Sequence, residues 1–175
     1  VGQANTSSRG WLTTLAYFGV SVASDGSLGT TRHWGTEDLA PLVDAARAAG
    51  VRVVLVATCF DKATMQALLG SPAARAKAVA NLVDAVVAGG GDGVNVDFEG
   101  LPVGSKAAFV TFVGELKAAM DQALGVSYVT LDTPPIDWSG AFDYDLLALA
   151  SDGLVIMGYD YHWRGGEPGP VSPLA

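Results

Sequence analysis

The chain has 175 residues, half of them hydrophobic, only 16% charged, and a net charge of −8. That length suits one domain, the apolar share is too high for a disordered segment, and the acidic balance argues against a nucleic-acid or anionic-membrane partner. The single cysteine, Cys59, excludes an internal disulfide, and no apolar run is long enough to span a membrane.

Residues 11–22 are apolar and rich in β-formers, which predicts a first strand. A Gly/Ser/Thr-rich loop follows to Gly35, with His33 and Trp34 read as packing residues. Thr36 is the expected N-cap of a helix that Gly50 closes. The continuous apolar run 51–60 predicts a parallel strand buried on both faces, and places Cys59 as a small core hydrophobe. An Ala-rich helix is predicted over 72–88, closed by glycines. A strand over 93–99 comes next, then a long helix over 105–124 with Phe109, Phe112, Val113, Leu116, Met120 and Leu124 on one stripe. Residues 127–133 predict a strand ended by Pro134-Pro135, 142–150 a short helix, and 153–161 a last strand.

Strict alternation of strand and helix implies a parallel sheet with right-handed crossovers. No strand-to-helix turn carries a Gly-x-Gly-x-x-Gly phosphate loop, and functional side chains gather at the C-terminal ends of different strands. Both points favour a (β/α)8 barrel over a doubly wound sheet. A barrel needs eight strands, and five are visible. The chain does not begin with Met and its last ten residues resemble an interrupted loop, so it is expected to be an internal piece of one catalytic barrel spanning all of residues 1–175.

The strand around residue 95 is chemically odd. In Asp92-Gly-Val-Asn-Val-Asp-Phe-Glu99, alternation sends Val94, Val96 and Phe98 to one face and Asn95, Asp97 and Glu99 to the other. Buried charges persist only when paired or used, and no Lys or Arg stands nearby in sequence. Glycoside cleavage needs a carboxylic acid to protonate the leaving oxygen and a second group to stabilise an oxocarbenium-like centre. Crowded carboxyls and partial burial are expected to raise one pKa enough to keep a proton near neutrality. Side chains two apart on one strand are too close to flank a sugar, so Asp97 is expected to assist Glu99. Asp92 has the opposite parity and reads as a turn or backbone-capping residue. The spacing fits no EF-hand, and no His lies beside the acids, so neither a metal nor any other cofactor is expected.

Asp92 to Glu99 resembles the Asp-x-x-Asp-x-Asp-x-Glu signature of glycoside hydrolase family 18, the chitinase-like family, and Met157-Gly-Tyr-Asp160 resembles that family's Met-x-Tyr-Asp motif. The resemblance implies barrel strands two to six, with the bacterial spore cortex-lytic N-acetylglucosaminidase branch as the best match. It further implies a retaining, substrate-assisted hydrolase of β-linked N-acetylglucosamine polymers, peptidoglycan or chitin, secreted or associated with the bacterial envelope or spore. Glu99 would be the general acid and then base, Asp97 would hold the acetamido N–H, and Tyr159 would orient the acetamido oxygen. Met157 and Asp160 would shape the same subsite, with Asn95 supporting Asp97 and Trp163 a candidate for stacking on a sugar. Tyr161 and His162 have packing and site roles equally open. The chain departs from the pattern at Asn95, where the signature has an acid, and at Val56-Ala-Thr-Cys59, where the family has Ser-x-Gly-Gly. The rival reading is a sugar-binding relative without catalysis; such proteins usually lose the acid, and Glu99 is present.

Overall fold

The computed structural model describes residues 12–162 and 165–172. The elements run β1 Thr14–Ser21, α1 Ala40–Ala48, β2 Arg52–Cys59, α2 Lys62–Gly70, α3 Pro72–Gly89, β3 Gly93–Phe98, α4 Lys106–Leu124, β4 Tyr128–Thr133, α5 Tyr144–Ala150 and β5 Gly153–Ile156. All four strand pairings are parallel, and the spatial order is β1-β2-β3-β4-β5. A doubly wound sheet reverses its strand order at a switch point. A monotonic order with a helix between each pair of successive strands is instead what a barrel requires.

The two faces of the sheet divide as alternation dictates. Val94, Val96 and Phe98 are buried in the hydrophobic core with Leu55, Leu82 and Leu131. Phe98 stacks on Phe109 and Phe112 of α4, with ring centroids 6.0 and 5.5 Å away. Each such fully buried side chain is worth about 1.5–3 kcal/mol relative to exposure, so the apolar row of β3 fixes the strand's rotation. The opposite row, Asn95 and Asp97, then has no choice but to face the concave side.

Trp34 is buried, as expected of a packing residue. Its indole donates to the Ala85 carbonyl at 2.7 Å and lies against Gly89 and Gly91, where a Cβ would stand 2.4 and 2.8 Å from ring atoms. The glycines that end α3 therefore serve the loop after β1 as well as the helix terminus.

Several expected boundaries need correction. Thr36 does not cap a helix: its hydroxyl donates to the His33 carbonyl at 2.7 Å, and the segment turns before α1 begins at Ala40. The helix α2 was not expected. Asp61 caps it by accepting from the Thr64 N–H at 2.8 Å, and Met65, Leu68 and Leu69 supply its buried stripe. The last strand stops at Ile156, not Tyr161, because Gly158 follows and Asp160 takes a left-handed φ of 63°.

Asp92 is the backbone-capping residue its parity suggested. Its carboxylate accepts from the Val53 N–H at 2.7 Å while its own N–H donates to the Val53 carbonyl at 2.7 Å. Asp152 repeats the arrangement two βα units later, tying the start of β5 to Val129 of β4. Asp92→Ala leaves a backbone donor at the sheet's end without its charged partner, and is expected to cost about 1.5 kcal/mol. Urea unfolding checks this, and a midpoint equal to wild type would show that the tie carries no weight.

Candidate active site

Asn95 and Asp97 are only 5% and 6% exposed, while Glu99, one residue past the strand end, is exposed at its mouth. The backbone continues the ladder there, the Glu99 N–H donating to the Cys59 carbonyl at 3.2 Å. Glu99 thus hangs from the C-terminal edge of the sheet, where a parallel barrel presents its chemistry.

The partner of Asn95 is not Asp97. The β3–β4 register sets Asn95 against Thr130, so Asp132 rises beside Asp97. The Asn95 amide donates to Asp132 Oδ2 at 2.8 Å, and Asn95 Oδ1 accepts from the Thr130 hydroxyl at 2.7 Å. Asn95, expected to support Asp97, bonds instead to Asp132, a residue that sequence reasoning missed. Asp132 stands beside Asp97, placed to share a hydrogen bond with it when one of the two carboxyls is protonated. Thr130, Asn95, Asp132 and Asp97 form a connected chain across two strands. The missing acid of the signature is offset by an acid from the next strand. The available signal was the alternation Tyr128-x-Thr130-x-Asp132, which puts an acid on the inward row of β4.

A carboxyl-to-carboxyl hydrogen bond requires one proton between two acids. Burial, then the charges of Asp132 and Glu99, then the hydrogen bond that its protonated form donates to Asp132 push Asp97 up to about 7. Asp132 is also raised, by burial, against the opposing pull of its bonds to Asn95 and Asp97. Of the two carboxyls, Asp97 is thus the one whose surroundings favour the protonated form, with Asp132 as the acceptor. Among the described residues no Lys or Arg forms an ion pair with any of these acids, so a strand-end salt bridge does not account for them.

Two cavities meet at Glu99. The inner one, about 620 Å³, lies on the concave face and is lined by Asn95, Asp97, Asp132, Met157 and Tyr159 as well as Glu99. The outer one, about 650 Å³, shares Glu99, Met157 and Tyr159 and extends over the loop after β4 to Trp138 and Tyr161. Met157 reaches both because its N–H still donates to the Thr133 carbonyl at 2.9 Å, one step past the end of β5. Tyr159 stands on the irregular segment that follows. Burial, then the charges of Glu99, Asp97, Asp132 and Asp160, raise its phenol above the usual value, which keeps it a hydrogen-bond donor. Of the expected site residues, Asn95, Asp97, Glu99, Met157 and Tyr159 converge on the inner cavity. Asp160 lines only the outer one, and Trp163 lies outside the described residues. Tyr161 is 59% exposed and lines the outer cavity, so it does not pack the sheet interior. Among the described residues no three His, Cys, Asp or Glu side chains, these acids included, are arranged so that they could hold a metal ion.

Comparison with known proteins bears on this arrangement. The sequence profile of the glycosyl hydrolases family 18 matches residues 11–175. The sporulation-specific glycosylase YdhD of Bacillus subtilis is 30% identical over 118 residues, 66% of this chain and 28% of its own length. The cortical fragment-lytic enzyme of Bacillus anthracis is 25% identical over 173 residues, 94% of this chain and 39% of its own. The crystal structure of YdhD aligns with a TM-score of 0.81 at 25% identity, over 91% of this chain and 55% of that one. The chain therefore spans well under half the length of these curated relatives. Its five parallel strands correspond to about half of a chitinase-like (β/α)8 barrel, in line with the expected run of five barrel strands.

Proposed function

The chain belongs to glycosyl hydrolases family 18, and on that footing we propose that residues 1–175 form part of one catalytic barrel that hydrolyses β-linked N-acetylglucosamine polymers with retention, using the substrate's own acetamido group. The observation that carries this reading is the inner cavity. It brings Asp97, Asp132 and Tyr159 together below Glu99 at the mouth, with no ion-pair partner among the described residues to explain the acids.

Each group has a task that its position allows. Glu99 gives its proton to the glycosidic oxygen, and the C1–O bond breaks with its electron pair going to that oxygen. The acetamido carbonyl oxygen bonds to C1, forming an oxazolinium ring. Asp97 accepts the acetamido N–H and stabilises the ring's charge, while the Tyr159 hydroxyl donates to the acetamido oxygen. Glu99, now a carboxylate, takes a proton from water, whose oxygen attacks C1 and reopens the ring. Stabilising the charge needs Asp97 ionised, and Asp132 is the neighbour to which its proton can pass. No protein nucleophile is required, which fits two carboxyls too close together to flank a sugar.

The names of the relatives make peptidoglycan the first polymer to test and chitin the second, with an envelope or spore location in a bacterium. A thiazoline analogue of the oxazolinium ring is expected to bind at least about 100-fold more tightly than the parent sugar, as intermediate mimics do. Competition against hydrolysis of a fluorogenic chitobioside measures this, and a thiazoline no tighter than the sugar would sink substrate assistance.

A further inference from the structure

We infer that Trp138 is the platform for the sugar on the leaving-group side of the cleaved bond, a positioning residue outside both the strand motif and the carboxyl network. The inference rests on the glycosidase reading above. Glu99 is the proton donor and lines both cavities, so the scissile oxygen belongs at their junction. Of the two groups that address the acetamido substituent, Asp97 lines only the inner cavity, and Tyr159 lines both, at their junction. The departing sugar must then extend into the outer one, past Glu99 and towards the loop between β4 and α5.

That loop is built to present an aromatic side chain. The Asp137 carboxylate accepts from the Ser139 N–H at 3.0 Å, the Ser139 hydroxyl at 2.6 Å and the Phe142 N–H at 2.7 Å. Phe142 is buried edge-on against Phe109, and the Tyr144 hydroxyl donates to the Pro134 carbonyl at 2.7 Å. The segment is thus pinned near its start, middle and end, yet Trp138 within it is 90% exposed. Val103, Val126 and Leu149 are about as exposed, but they are single aliphatics that line neither cavity, and scattered surface apolar residues need no explanation. Trp138 differs in sharing a cavity with the acid. Beside it stand Ile136, Pro135 and Tyr161. The C–H faces of a pyranose stack on an indole of this kind, and the indole N–H can reach a ring hydroxyl.

The test compares two substrates in the intact protein. A chito-oligosaccharide has a leaving sugar; the matching chito-oligosaccharide oxazoline has none, and its hydrolysis begins at the ring intermediate. W138A is expected to lower the ratio of kcat/KM for the oligosaccharide to that for the oxazoline at least about tenfold, the size of loss typical of a stripped binding anchor. W138F, which keeps a flat ring, should restore most of the ratio. The side chain is so exposed that folding is not at stake. An unchanged ratio, or equal loss on both substrates, overturns the assignment of Trp138. A wild-type protein that hydrolyses neither substrate overturns the glycosidase reading, and the inference falls with it.

Discussion

Glu99→Gln is expected to reduce hydrolysis of N-acetylglucosamine oligomers at least about 1000-fold while glycan binding stays within a few-fold of wild type. The amide has the shape of the acid but no transferable proton, so the leaving oxygen would depart as an unassisted alkoxide. General acid–base catalysis by one group is worth about 10²–10⁴, and Glu99 serves in both halves of the proposed reaction. Binding survives because Glu99 lies past the end of β3, exposed and free of any ion pair among the described residues. Nothing in the fold leans on its charge. Turnover by reducing-end release, beside titration calorimetry with the same oligomer, separates the two quantities. Wild-type turnover in the variant would remove Glu99 from the mechanism. Equal loss of turnover and binding would make it a binding residue, as the rival reading of a sugar-binding protein would have it.

The same geometry divides labour among carboxyls that look alike in sequence. Glu99 stands at the mouth, where it can meet a glycosidic oxygen entering from either cavity. Asp97 lies one inward step deeper, where burial and its two acidic neighbours favour the protonated form. In the proposed cycle Asp132 receives that proton, and Asn95 anchors it from its other side. The amide in the signature thus changes the route of the hydrogen bond without removing the acid partner. Asn95 cannot take a proton, but it holds in place the group that can.

How much of this was legible in the chain follows from which forces are local. The alternation along β3 is local, and Val94, Val96 and Phe98 fixed both faces of the strand before any partner was known. The βα alternation makes the sheet parallel, and the lack of a phosphate loop together with functional residues at several strand ends points to the monotonic order of a barrel. Beyond that, the misses share a cause. Asp132 is visible as an acid on an alternating strand, but its neighbour depends on the β3–β4 register, Asn95 against Thr130, which no single segment encodes. Tyr159 looks like a strand residue by its alternation with Tyr161. Gly158 and the left-handed Asp160 take it out of the ladder and swing the segment over the cavities. The nine-residue α2 carries one short stripe, easily lost between a strand end and the Ser71 cap of the next helix.

Asp97→Asn is expected to slow turnover about 100-fold and, independently, to flatten the dependence of stability on pH. The two effects have one origin. In the unfolded chain Asp97 ionises near 3.8; in the fold it holds its proton up to about 7, chiefly because it is buried and then because Asp132 and Glu99 repel its charge. A raised folded pKa means that the group's contribution to stability is complete below about pH 4 and is lost as pH rises through 7. At about 1.4 kcal/mol for each unit, the three-unit gap amounts to about 4 kcal/mol between pH 4 and pH 8. Asn has no proton to lose and shows none of this slope. Plotted against pH, the unfolding free energy of wild type minus that of the variant should therefore fall across this window, so that the variant gains on wild type in alkali. Asp132→Asn removes the second cause but leaves the burial, so it should move the fall to lower pH without abolishing it. Parallel stability curves for wild type and Asp97→Asn would mean that Asp97 is ionised throughout, and the proton shared with Asp132 would then have no place in the catalytic cycle. The fall in stability marks the cost of a site that keeps an acid buried, and the 100-fold loss of turnover in the variant measures what that acid does there.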